Sequence, residues 1–364
     1  MSIEIKALKK VDIDELKQLF VRTPILEQQN PFRTGSIDEF VWQFFSDNYQ
    51  SSLYMVGSDS VKDELAGTLS ALFIPMKSSD GQVSQTIKLE DALINVDVMV
   101  RYRNRDLLKE FLQIIESESG SQNIKFLWGF TYAVNPFKRL GFTNCFSSKQ
   151  GTYIVKPLDA YRHLITLNTS NGTKQKLQIA GLTMMSYLKQ LLIFKNYGGL
   201  ICKEIELKDV DEEILLGFLP DHLYCIQLDK HFLNWRIVEN PSMLTYSILQ
   251  FEDQSGRIKG YFIYSQKEGK VFFVEQFLFD RDLSMETKAQ FIQLALKHLK
   301  SLDAVIVRAM GFDHNKANKD EIMMLEKLGF VFINRGIPFI LKSLDENIKP
   351  EDIYLSRLNT EGTF

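Results

Sequence analysis

The chain has 364 residues, which is too long for one typical hydrophobic core, so two domains are the first expectation. Its 45% apolar and 24% charged residues are ordinary for a globular protein. Its net charge of −3 gives no basic footprint, so nucleic acid is excluded as an expected partner. The three cysteines, Cys145, Cys202 and Cys225, lack metal or disulfide spacing, which favours a reducing, cytoplasmic compartment and predicts no metal site.

Residues 4–20 begin a pattern that returns at 204–219. Both segments predict a short strand and then a helix with an acid, Asp12 or Asp211, near its start. Further matches follow in the same order. They pair strands 66–74 with 259–266, strands 94–100 with 271–279, the apolar helix faces after 107 and 291, strands 125–130 with 304–310, and KRLGF (138–142) with EKLGF (326–330).

Each half therefore reads β–α–β–β–α–β–α–β. The repeat predicts a first domain over 1–160, a linker over 161–200 and a second domain over 201–364. The run 182–194 is too short to span a bilayer and contains Lys189, so we expect no transmembrane segment but a joining helix.

This element order, with LGF after the second helix, resembles the GNAT superfamily of N-acetyltransferases, once in each half. The resemblance implies an α/β (α+β) fold of two tandem GNAT-like domains, each a mixed, mostly antiparallel sheet flanked by helices. In that family acetyl-CoA lies in a cleft where two strands splay apart. Its pyrophosphate binds at the start of the helix after the fourth strand, where unpaired N–H groups carry partial positive charge.

The stretch VMVRYRNRDLL (98–108) matches the family's pyrophosphate loop in part. Tyr102 and Arg103 fall in place, but Asp106 and Leu108 replace its two glycines. Neighbouring arginines could compensate with their guanidinium groups, and the alternative is a solvated arginine turn with an acid in the first helical turn. The implied cofactor-binding residues are Met99, Val100, Arg101, Arg103, Asn104, Arg105, Asp106, Leu107, Asn135 and Phe137.

The second half departs further from the family pattern. Residues 280–288 carry neither glycines nor an arginine cluster, and Ser284 predicts an ordinary helix cap there. If one half binds acetyl-CoA, the first is favoured.

The family's tyrosine acid is missing from both halves, because Phe137 and Leu325 stand at its position. Tyr132 could substitute, or be a partly buried aromatic residue. Asp97 and Glu275 lie in the predicted fourth strands, where the family often places a general base. The alternative is that both acids are hydrogen-bonded strand carboxylates.

Trp235, Arg236 and Tyr246 form a cluster at the entry to the second half. It is similar to tandem acetyltransferase-like proteins of bacterial surface polysaccharide biosynthesis, which implies sugar stacking and hydroxyl or phosphate binding. A core at a domain interface is the alternative.

The leading hypothesis is an acetyl-CoA-dependent N-acyltransferase acting on a small amine, such as an amino sugar. One alternative is a Fem-type aminoacyl transferase, although the net charge of −3 argues against binding tRNA. The other is a non-catalytic binding or scaffold protein whose cofactor loops have decayed, so the enzyme assignment stays open.

Overall fold

The computed structural model describes residues 2–34, 36–46, 52–78, 81–119, 124–166, 172–191, 199–267, 270–334, 336–344 and 348–360. The strands are β1 (Ile3–Ala7), β2 (Ser52–Asp59), β3 (Glu64–Lys77), β4 (Val83–Ile94), β5 (Ile124–Phe130), β6 (Thr143–Ser147), β7 (Lys149–Ile154), β8 (Ile201–Ile205), β9 (Cys225–Ile226), β10 (Thr245–Glu252), β11 (Ile258–Lys267), β12 (Val271–Phe279), β13 (Ile306–Gly311), β14 (Val331–Ile333) and β15 (Pro338–Ser343).

The α-helices are α1 (Ile13–Arg22), α2 (Pro31–Thr34), α3 (Ile37–Phe45), α4 (Val96–Arg101), α5 (Leu107–Ser119), α6 (Val134–Arg139), α7 (Pro157–Thr166), α8 (Thr173–Leu191), α9 (Glu212–Gly217), α10 (Lys230–Leu233), α11 (Met285–Ser301) and α12 (Lys316–Lys327). A π-helical turn spans Asn234–Val238. The predicted joining helix is thus the C-terminal part of α8, and residues 192–194 lie outside the described residues.

The chain forms two compact units that interleave along the sequence. The first contains Met1–Cys145, Glu239–Ser242 and Ile337–Lys349, and the second contains Phe146–Val238, Met243–Gly336 and Pro350–Phe364. The domain boundaries at 160 and 200 were read from the sequence repeat and stay a prediction.

The first sheet has the order β1-β2-β3-β4-β5-β15-β6, and β4 and β5 run parallel in it. The second has the order β14-β7-β13-β12-β11-β10-β8, with β12 and β13 parallel. The two repeats exchange strands, because β15 pairs with β5 and β7 pairs with β13. Two mixed sheets with flanking helices confirm the predicted fold class.

One helix supplies the main apolar face against each sheet. Helix α5 packs on β3, β4 and β5 of the first unit, and α11 packs on β10 to β13 of the second. Their buried side chains recur at three- and four-residue spacing, as predicted. They are Leu107, Leu108, Phe111, Leu112 and Ile115 in α5, and Phe291, Ile292, Ala295, Leu296 and Leu299 in α11.

The repeated LGF motif ends a helix in both units. Gly141 and Gly329 have φ of +90° and +102°, a backbone conformation that favours glycine. The N–H of Phe142 donates to Phe137 O, and that of Phe330 donates to Leu325 O, each at 3.1 Å. These contacts form a Schellman C-cap, so the local role of this motif is to stop the helix.

The predicted strand over 94–100 is wrong. Strand β4 ends at Ile94, and α4 follows at once because the Asn95 side chain accepts hydrogen bonds from Asp97 N and Val98 N. The strand that corresponds to 271–279 is therefore Val83–Ile94.

Candidate functional site

In the first unit, β4 and β5 separate part-way along their length. Their last paired residues are Leu89 and Gly129, and a Cβ on Gly129 would lie 2.7 Å from Leu89 O, so glycine permits the close approach there. Beyond this point β4 continues to Ile94 and pairs with β3 on its other side. Residues 90–94 are half-buried or exposed, and Ala92 is exposed. The structure therefore has an open strand edge on the β5 side of β4.

In the second unit the corresponding strands also diverge, but the strand beyond the divergence is buried. Strands β12 and β13 pair as far as Val274 and Ala309. Residues 275–279, which correspond to 90–94 when both strands are counted back from their ends, are all buried. Phe277 occupies the position of Ala92. Of these two matched segments, only the one in the first unit is accessible.

A polar cluster lies where β4 and β5 diverge. Lys88 Nζ is 2.6 Å from Glu90 Oε1, and it lies 5.6 Å from the centre of the Trp128 ring. The Lys88 side chain is fully buried, whereas that of Glu90 is 12% exposed. A buried ammonium group is costly unless it is paired, so this ion pair positions the Glu90 carboxyl group at the start of the open edge.

The neighbouring acid, Asp91, is bound to a buried tyrosine. The Tyr54 hydroxyl donates a hydrogen bond to the Asp91 carboxylate. Burial raises the pKa of Asp91 and holds that of Tyr54 well above its ordinary value. Phe40 and Phe44 pack on the Tyr54 ring with centroids 5.1 and 5.0 Å away. Both acids are half-buried, but the Asp91 carboxylate is engaged by the Tyr54 hydroxyl, so Glu90 is the candidate strand acid.

No protein-family model and no curated protein matches the sequence. Solved structures do match it. A probable N-acyltransferase from Enterococcus faecalis V583 aligns with a TM-score of 0.60 at 12% identity, over 95% of this chain and 73% of that one. A tandem GNAT protein from the clavulanic acid biosynthesis pathway aligns with a TM-score of 0.57 at 11% identity, over 95% of this chain and all of the other. The chain has a tandem GNAT fold.

A third match supports the same assignment. Saccharomyces cerevisiae N-myristoyltransferase with bound myristoyl-CoA aligns with a TM-score of 0.56 at 12% identity, over 99% of this chain and 84% of that chain. At such low identity the likeness concerns the GNAT fold alone. The sequence-based expectation of two GNAT-like halves is confirmed.

The arginines of the predicted phosphate loop have internal partners. Arg101 donates to Asp59 and Glu64, and Arg105 bonds Glu110 through two nitrogens. These carboxylates raise the pKa of both guanidinium groups. Two of the three guanidinium groups are therefore paired with carboxylates of the first unit itself.

Arg103 differs from these two arginines. Its side chain is exposed, and its Nε donates to Val100 O at 3.3 Å. Of the three loop arginines, it is the one best placed to meet an anion from solvent.

The start of α5 carries its own anion. Asp106 Oδ1 accepts a hydrogen bond from Lys109 N at 3.1 Å, and Asp106 O accepts one from Glu110 N. A pyrophosphate at this helix start would have to displace that carboxylate or tolerate its charge. In the second GNAT unit, Ser284 caps α11 by accepting from Thr287 N, which confirms the predicted cap.

The other residues predicted in the first half lie on α4, on α6 and just after β5. Asp97 is an exposed acid in the first turn of α4 rather than a strand residue. Tyr132 is 73% exposed, whereas Phe137 is buried in the core with Phe142. Asn135 lies within α6. Their roles stay predictions.

Glu275 lies in β12 as predicted, but its side chain is fully buried. It pairs with Arg357 and accepts a hydrogen bond from Ser265. Its catalytic role also stays a prediction. The ion pair with Arg357 could not be predicted from the sequence.

Two of the three residues of the predicted sugar-stacking face are buried, and its role stays a prediction. Trp235 and Arg236 are each 2% exposed within the π-helical turn, and Tyr246 is half-buried on β10. The Trp235 ring packs 5.9 Å from that of Phe232, which is typical of core packing.

The described parts of the chain contain no group of His, Cys, Asp and Glu side chains suited to a metal ion. Among the same residues, no helix is long and apolar enough to cross a membrane.

Sequence reasoning missed Glu90. The signal was the pair of strand ends LEDALI (89–94) and VEQFLF (274–279), which share an acid in the second position. The mistaken strand over 94–100 hid this match and drew attention to Asp97 instead.

One further acid has a pH-dependent consequence in the second unit. Burial raises the pKa of Glu321 to about 8, although Tyr354 OH and Asn318 donate hydrogen bonds to it. The folded protein thus keeps a proton that the unfolded chain releases near pH 4.5. We expect the free energy of unfolding to fall by about 1.4 kcal/mol per pH unit from this group as the pH rises from about 4.5 towards 8.

Glu321→Gln should remove this contribution and flatten that part of the stability curve, measured by urea unfolding at several pH values. Glu326→Gln, at an exposed position on the same helix, is the matched control. Equal curves for the parent and Glu321→Gln would contradict the prediction.

Proposed function

We propose that the protein is an acyl-CoA-dependent N-acyltransferase that acts on a small amine, and that its first GNAT unit holds the acyl-CoA. The observation that carries this proposal is the open edge of β4 over residues 90–94, with the acid Glu90 at its start. The probable N-acyltransferase and the myristoyl-CoA-bound N-myristoyltransferase that share the fold support the reaction class.

The cleft fits one part of acyl-CoA better than another. A free strand edge offers backbone N–H and C=O groups at the spacing that an extended chain with amide groups can pair with. Pantetheine is such a chain. The pyrophosphate would meet Arg103 but also the carboxylate of Asp106, so we expect binding to depend mainly on pantetheine and the acyl group.

Acyl-CoA supplies an activated thioester carbonyl, and a free amine must attack it. Glu90 is the acid that would accept a proton from the amine, because it lies at the start of the open edge and retains access to solvent. Lys88 would orient the Glu90 carboxyl group. An N–H of the β4 edge would polarise the carbonyl oxygen. A thiolate is a good leaving group, so loss of the family's tyrosine acid is compatible with turnover.

Filling the open edge tests the proposal. We expect the parent to bind acetyl-CoA or myristoyl-CoA in calorimetry, and Ala92→Phe to weaken binding by at least about tenfold. The reason is steric, because the substitution introduces the ring that the second unit carries as Phe277.

Val83→Phe is the matched control, at an exposed position at the other end of β4. Equal affinities for the parent and Ala92→Phe would contradict the location of the site. No binding of either ligand at millimolar concentration would contradict the reaction class.

A second candidate function is a non-catalytic GNAT-fold binding protein. The observation that favours it is the self-capped start of α5, where the Asp106 carboxylate accepts from Lys109 N and adds a negative charge where a phosphate would bind. The same calorimetry separates the two functions, since this candidate predicts no acyl-CoA binding.

A further inference from the structure

The segment over residues 353–360 is deeply buried in the second unit. None of its eight residues is more than 8% exposed. Segments outside the main sheets and helices usually run over the surface, because buried backbone groups need hydrogen-bond partners. Its burial therefore indicates a dedicated site in the second unit.

That site is the divergence of β12 and β13. The Gln276 side chain donates to Tyr354 OH at 2.8 Å, two residues beyond the last residue of β12 that pairs with β13. Arg357 pairs with Glu275, and its guanidinium lies 4.3 Å from the centre of the Phe273 ring. The end of the segment reaches β13, where Thr360 Oγ1 lies 3.7 Å from Met310 Sδ.

The start of α12 holds the backbone of the segment. Asn315 Nδ2 donates to Ile353 O at 2.6 Å, and Asn318 Nδ2 donates to Leu355 O at 2.7 Å. Both asparagines are buried. Side-chain amides thus satisfy carbonyl groups that have no strand partner in this irregular segment, as buried backbone requires.

We propose that residues 353–360 are an intramolecular occupant of the second cleft, so that this unit binds no acyl-CoA and each chain has a single acyl-CoA site. The stoichiometric part rests on the proposed function, whereas the seating of the segment does not. The segment lies beside residues 273–276, and no residue of the adjoining 275–279 stretch is accessible. A pantetheine chain entering there would have to displace eight buried residues and the Glu275–Arg357 pair.

Amide hydrogen exchange on the whole chain, read with and without acetyl-CoA or myristoyl-CoA, tests the seating. We expect residues 353–360 to be protected to a degree similar to β12, in either condition. Exchange at the rate of an exposed tail would overturn the proposal.

Asn318→Ala removes the hydrogen bond to Leu355 O and should speed exchange within 353–360 by about tenfold. Asn144→Ala, at an exposed position of the first unit, is the control and should leave that exchange unchanged. Unchanged exchange in Asn318→Ala would contradict the role of Asn318 in holding this segment.

Calorimetric stoichiometry completes the test. One equivalent of acyl-CoA per chain, with the segment protected, supports the proposal. Two equivalents with the segment still protected would overturn it. Protection without any acyl-CoA binding would leave the segment as the occupant of the cleft and contradict the proposed function instead.

Discussion

Glu90→Gln should lower kcat for acyl transfer by about 10²- to 10⁴-fold, which is the usual contribution of a general base. Glutamine keeps the shape of the side chain but cannot accept the amine's proton. The open β4 edge is unchanged by this substitution, so we expect the affinity for acyl-CoA to stay near that of the parent. The measurement is the pH profile of kcat/KM for acyl transfer to a small amine, together with calorimetry for acyl-CoA.

Asp97→Asn is the discriminating control for this assignment. Asp97 is the acid that the sequence alone selects, and it is exposed on α4. A rate loss in Asp97→Asn and none in Glu90→Gln would contradict the role of Glu90.

Removing the Glu90 charge also takes one ion pair from the buried Lys88, which we expect to destabilise the fold. A Glu90→Gln, Lys88→Met variant separates the two effects. It should recover much of the stability but none of the rate.

The repeat could be predicted because it rests on local signals. The helix-ending LGF motif and the three- and four-residue apolar spacing of α5 and α11 are properties of short segments. Such segments adopt their structure for nearby reasons: a positive φ at Gly141, or one apolar face on a helix. The matched halves therefore led to the right fold class.

The exchange of β7 and β15 between the sheets could not be predicted in this way. Either strand would pair equally well in its own half, since backbone hydrogen bonding is the same for any extended segment. Which sheet receives a strand depends on long-range packing, such as Leu341 of β15 lying opposite Trp128 of β5. No pattern within residues 338–343 records that choice.

The site was predicted incompletely because a helix cap, Asn95, was not recognised in the sequence. The alternation in 94–100 is typical of a strand, but the Asn95 side chain starts a helix at Val96. Asp97 was therefore placed on a strand that ends at Ile94, and Glu90 was passed over. Arg101 pairs with Asp59 and Glu64, which are far from it in sequence. Its ion pairs within the unit could therefore not be predicted either.

Arg357→Met should lower the free energy of unfolding by about 3–5 kcal/mol, because it leaves the Glu275 carboxylate buried without its cation. The Glu275 side chain is fully buried and that of Arg357 is 6% exposed, so water cannot replace the lost partner. Arg22→Met is the matched control, since Arg22 pairs with Asp63 at the surface and should cost no more than about 1 kcal/mol. Urea unfolding of both variants gives the comparison.

The double variant Glu275→Gln, Arg357→Met makes the cause specific. It removes both charges, so it should be more stable than Arg357→Met alone even though it has lost more native contacts. A cost for Arg357→Met as small as that of Arg22→Met would mean that water reaches Glu275. The residues around Arg357 could not then be seated between β12 and β13, and the second cleft would be as open as the first.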